Sequence, residues 1–69
     1  MLDENCTAVL DFIERFKRIH AWGPTFQEMA DGTRLSVRTV RKCFEKLEAQ
    51  GYVIRDAGKV RAIRVLKGA

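Results

Sequence analysis

No run of apolar side chains in this 69-residue chain approaches the roughly 20 needed to cross a bilayer. No membrane-spanning segment is therefore expected. The N-terminus reads Met1-Leu2-Asp3-Glu4-Asn5 and lacks the basic start and apolar run of a signal peptide. A cytoplasmic location is expected by default. Histidine and serine each occur once, as His20 and Ser36, and cysteine twice, as Cys6 and Cys43. The two cysteines are far apart in sequence and have no metal-ligand spacing, and His20 completes no common zinc pattern with them. They read as reduced, buried structural thiols, with no metal and no cofactor expected. There is no Ser/His/Asp or Cys/His set and no glycine-rich phosphate loop, so the chain is not expected to be an enzyme or to take a small-molecule substrate.

What is present is one domain's worth of residues with a divided charge. The apolar share is 46% and the charged share 32%, which suits a folded chain rather than a disordered one. At this length only about 60% of the unfolded surface is buried, so the core is small. Residues 1–33 hold three basic and six acidic side chains, whereas residues 34–69 hold ten basic and three acidic. Such asymmetry points the C-terminal half toward a polyanion.

Periodicity supplies the elements. Asp3 caps a first helix over about 3–21, in which Val9, Phe12, Ile13, Phe16 and Ile19/His20 form one apolar stripe. Gly23-Pro24 ends it, and Trp22 beside them is expected to cover the edge of the core. Thr25-Phe26-Gln27-Glu28 has the form of a capping box and opens a short second helix, about 26–31. Asp31-Gly32-Thr33-Arg34 reads as a turn, with Gly32 free to take a positive φ. Ser36 then caps a third helix, about 36–50, stopped by Gly51. Val37, Val40, Cys43, Phe44 and Leu47 gather on one side of it, and Arg38, Arg41, Lys42 and Glu45 on the other. Strands over about 52–55 and 60–66, joined through Asp56-Ala57-Gly58-Lys59, complete a hairpin. The expected fold is mainly α with a small β-hairpin: a winged helix-turn-helix over residues 1–69, with three helices and a two-stranded antiparallel wing. Its third helix would present a polar face to the major groove of duplex DNA.

Several fragments then resemble the N-terminal DNA-binding domain of LexA-type repressors. Leu2-Asp3 through Val9-Leu10-Asp11-Phe12-Ile13 is similar to that family's first helix, and Pro24-Thr25 with Glu28-Met29-Ala30 to the opening of its second. Arg61-Ala62-Ile63-Arg64-Val65 is similar to its wing strand, with alanine where the family usually carries glycine. Leu35-Ser36-Val37-Arg38-Thr39-Val40-Arg41 and Leu47-Glu48-Ala49-Gln50-Gly51-Tyr52-Val53 resemble recognition helices of many bacterial winged-helix regulators, the GntR type among them. The resemblance implies sequence-selective binding of double-stranded DNA by a repressor-like regulator. The family's self-cleaving Ser/Lys domain has no counterpart in these residues, so dimerisation is not implied. A homodimer and a second protein partner both stay open.

The residues expected to contact DNA follow from chemistry. Arg38 or Arg41 suits bidentate base reading, with Thr39 beside them, and Lys42 and Lys46 suit phosphates. Ser36 begins the same helix. The backbone N–H groups of Phe26 and Gln27, after the Thr25 cap, are placed to hold a phosphate. Lys59 and Arg61 would serve the 56–61 wing. The alternative is a winged-helix protein-interaction module within a larger regulatory or phage/mobile-element complex, which Glu45 and Glu48 keep open.

Overall fold

The computed structural model describes residues 2–56 and 61–68. Its elements run α1 (Glu4–His20), α2 (Phe26–Thr33), α3 (Val37–Ala49), β1 (Val53–Arg55) and β2 (Ile63–Val65). The expected fold class is therefore observed. α1 packs on α2 and α3, α2 packs on α3, and β1 rests on the end of α3.

Local chemistry sets the helix ends. The Asp3 carboxylate accepts from the Cys6 N–H at 2.8 Å, which also holds its carboxyl below the ordinary range. The Thr25/Glu28 capping box is complete: the Glu28 N–H donates to Thr25 Oγ1 at 3.1 Å, and the Thr25 N–H donates to Glu28 Oε1 at 2.8 Å. Ser36 Oγ accepts from the Thr39 N–H at 3.1 Å and starts α3. At the other end of α3 the Gly51 N–H donates to the Glu48 carbonyl and the Tyr52 N–H to the Leu47 carbonyl. This is a Schellman motif, and it requires the positive φ of 79° that Gly51 adopts.

The turn between α2 and α3 differs from the sequence expectation. Asp31, Gly32 and Thr33 are helical, and the chain turns instead over residues 34–36. Arg34, not Gly32, takes the left-handed conformation, at φ 61°. Thr33 extends the helix by donating its hydroxyl to the Met29 carbonyl at 2.6 Å. Gly32 serves packing: a Cβ there would lie 2.0 Å from the Phe12 ring. The close approach of α1 outweighs the roughly 1 kcal/mol that glycine costs inside a helix.

The core takes Cys6, Val9, Leu10 and Ile13 from α1, Met29 and Ala30 from α2, and Val40, Cys43, Phe44 and Leu47 from α3. Val53 and Ile63 close it from the strands. The buried stripe of α1 is thus rotated toward Cys6 and Leu10 from the one expected, and Ile19 is 76% exposed. Phe16 instead stacks between Phe12 and His20, with ring centroids 5.9 and 4.2 Å away. Trp22 continues the row beside His20 and is half exposed, so it does not cover the core edge as expected. The Cys6 thiol is pushed up to about 12 by burial and by hydrogen bonding with Cys43 and Asp3.

β1 and β2 are antiparallel, pairing Val53 with Val65, Ile54 with Arg64 and Arg55 with Ile63. Both strands are shorter than expected. Tyr52 precedes the ladder, and Arg61 and Ala62 precede β2; Lys59 and Val60 lie outside the described residues. The hairpin is tied to the helices by polar links. Lys17 Nζ donates to the Ile63 carbonyl, and the Gly23 N–H donates to the Arg61 carbonyl at 2.9 Å.

α1 ends at Ala21, whose φ of 66° places a Cβ-bearing residue in the left-handed region. Ala21→Gly removes that steric cost against a smaller gain in unfolded-chain entropy. It is expected to stabilise the fold by about 0.5–1 kcal/mol. Thermal melts followed by circular dichroism should show a midpoint roughly 2–8 °C higher.

Candidate nucleic-acid interface

α3 carries its basic face away from the core. Arg38, Arg41 and Lys42 are exposed, and with Val37 and Glu45 they line a shallow concavity of about 420 Å³. At 100° per residue these four charged side chains share one face of the helix, while Lys46 and Thr39 fall on its flank. The flank is already engaged. Lys46 Nζ lies 3.6 Å from Asp3 Oδ2 at the start of α1, and Thr39 Oγ1 accepts from the Ser36 hydroxyl at 3.0 Å. Of the expected α3 contacts, then, Arg38, Arg41 and Lys42 stand together and outside any ion pair among the described residues, whereas Ser36, Thr39 and Lys46 also serve the fold.

Phe26 has a part that its sequence position does not reveal. Its ring meets Phe44 edge-on, at 5.4 Å between centroids and 72° between planes. The guanidinium of Arg41 sits 5.5 Å from the Phe26 ring centroid, and that of Arg55 sits 5.2 Å from it. The electron-rich face of an aromatic ring attracts cations, so one side chain of α2 positions two arginines, from α3 and from β1. These residues, with Glu45 and Glu48, line a second concavity of about 300 Å³. Arg55 was not singled out from sequence. The available signal was a basic residue closing a strand, but its approach to Phe26 depends on how β1 docks on α3.

The start of α2 keeps donors free. The capping box satisfies the N–H groups of Thr25 and Glu28, and Met29 donates to the Thr25 carbonyl. The N–H groups of Phe26 and Gln27 have no partner among the described residues, as the first turn of a helix dictates. The Gln27 side chain is used within the helix, donating to Asp31 at 3.0 Å.

Arg61 is anchored at the base of the wing rather than extended. Its Nη1 lies 2.9 Å from Glu28 Oε1 and 3.4 Å from the Gly23 carbonyl. Lys59, the other expected wing contact, lies outside the described residues. The Glu28 carboxyl is held below its ordinary value of 4.5, first by the Thr25 N–H and then by Arg61. An acid with a depressed folded pKa adds stability above its unfolded pKa and loses it as pH falls through the folded value. Glu28→Gln keeps a residue that can close the capping box but removes the charge. Urea unfolding at a series of pH values should show the variant less stable than the parent at neutral pH, with the gap closing below pH 4.5.

Among the described residues no helix is long and apolar enough to cross a membrane. A family model described as the LexA DNA binding domain matches residues 2–62. The chain is 40% identical over 58 residues to the LexA repressor of Koribacter versatilis, covering 83% of this chain and 28% of that protein. It is 43% identical over 60 residues to the LexA repressor of Pelotomaculum thermopropionicum, covering 86% and 30%. Against the LexA repressor of Thermotoga neapolitana the identity is 38% over 60 residues, covering 87% and 30%. The chain therefore spans about three-tenths of the length of these relatives.

Proposed function

Because this chain belongs to the LexA DNA-binding domain family, we propose that it is the operator-binding unit of a transcriptional repressor, with α3 in the major groove. The observation that carries this reading is the exposed Arg38/Arg41/Lys42 face, steadied through Arg41 by Phe26. Arg41 and Arg38 read base edges, where a guanidinium can bond bidentately to guanine O6 and N7. Lys42 and, from the flank, Lys46 meet phosphates. Ser36 and Thr39 approach the same strand at the start of α3. The Phe26 and Gln27 N–H groups after Thr25 take one backbone phosphate, with Arg55 beside them. Lys59 and Arg61 belong to the wing, on the adjacent backbone or minor groove.

A titration of mixed-sequence duplex DNA between about 50 and 200 mM salt tests this. Counterion release makes log affinity fall linearly with log salt, by about 0.9 for each phosphate contacted. The proposed lysine and backbone contacts predict a steep negative slope that Lys46→Ala makes shallower by about 1. Undetectable duplex binding near 50 mM salt would refute the proposal and favour a protein-interaction role. For that second reading the supporting observation is that Glu45 and Glu48 stand exposed beside the arginines.

A further inference from the structure

The core side of α3, turned away from Arg38 and Arg41, brings together groups that the sequence keeps apart. The Sγ atoms of Cys6 and Cys43 and a carboxylate oxygen of Asp3 all lie within 4.8 Å of one another. Asp3 is the N-cap of α1, Cys6 lies in its first turns, and Cys43 is at the middle of α3. Both cysteines are buried, whereas the Asp3 side chain is 56% exposed and opens the cluster to solvent.

We infer that Asp3, Cys6 and Cys43 form a binding site for a thiophilic divalent cation of the zinc class. Zinc takes sulfur at about 2.3 Å and carboxylate oxygen at about 2.0–2.2 Å, so two tetrahedral thiolate ligands stand about 3.8 Å apart. That separation falls inside the observed limit, so the three groups are already gathered to within about one ångström of coordinating distance. On binding, each thiol gives up its proton to solvent. Two thiolates and one carboxylate then leave the ion one negative charge in excess, and the Lys46 ammonium, 3.6 Å from Asp3 Oδ2, balances it. Water takes the fourth position on the open side. Cys43 is about 140° around α3 from Arg38 and about 160° from Arg41. The ion therefore clamps the start of α1 to the middle of α3 without entering the Arg38/Arg41 face.

The test is a titration of the whole chain with Cd²⁺, held reduced by a phosphine, following the ultraviolet thiolate-to-metal charge-transfer band. One ion per chain is expected, with Zn²⁺ abolishing the band by competition and raising the thermal midpoint by mass action. Cys43→Ala, checked for folding by circular dichroism, should lose saturable binding. Asp3→Asn preserves a good N-cap and tests the third ligand without disturbing the core. Losing even an outer-shell partner of a metal site costs about 10–100-fold in affinity, so this variant should bind at least tenfold more weakly. The inference is overturned by no band with excess Cd²⁺, by one ion per two chains, or by undiminished affinity in Asp3→Asn.

Discussion

Leu47→Ala is expected to leave the domain largely unfolded at 37 °C. Leu47 is fully buried on α3, in the core that all three helices and both strands share. Its carbonyl also accepts the Tyr52 N–H that closes the Schellman motif, so packing and chain direction meet at this residue. Truncating a buried leucine costs about 2–5 kcal/mol through lost transfer energy and the cavity left behind. A core in a domain of this size rarely supplies more than about 3–5 kcal/mol in total. The two magnitudes are comparable, so one side chain removes most of the stability. Urea unfolding followed by far-ultraviolet circular dichroism should show the native baseline shortened or lost. A midpoint equal to that of the parent would mean that the site collapses without cost and that the helices are not locked around Leu47.

The second large effect concerns recognition. Arg41→Ala should cost about 1–3 kcal/mol of duplex affinity, equivalent to about 5- to 150-fold, and relax preference at one base position. The guanidinium rests against Phe26, so part of its conformational freedom is already lost before DNA arrives. Lys46→Ala, on the flank and paired with Asp3, should weaken all duplexes alike. Selection of bound sequences from random duplex DNA with each variant separates the two roles. Equal loss on every sequence for both variants would remove Arg41 from base reading.

Local signals made much of the fold readable in advance. Asp3, the Thr25/Glu28 pair, Ser36 and Gly51 act on backbone groups within a few residues of themselves, so their effects survive reduction to sequence. The division of α3 into an apolar and a basic side follows from periodicity alone. What was missed depends on contacts between elements. Gly32 is helical because Phe12 from α1 needs its space. Arg55 and Arg41 each approach a ring supplied by α2. Cys6 and Cys43 converge only when α1 crosses α3.

The Glu28 carboxylate makes two of these effects inseparable. One oxygen, Oε1, accepts both the Thr25 N–H and the Arg61 guanidinium. Arg61→Ala therefore disturbs the entry into α2 as well as the base of the wing, and any change it makes in DNA affinity would not report a lost wing contact alone. Substitutions at Arg61 and Glu28 should be non-additive, because they break one shared network. A double-mutant cycle, with stability and duplex affinity measured on the same four proteins, apportions the wing's direct contribution.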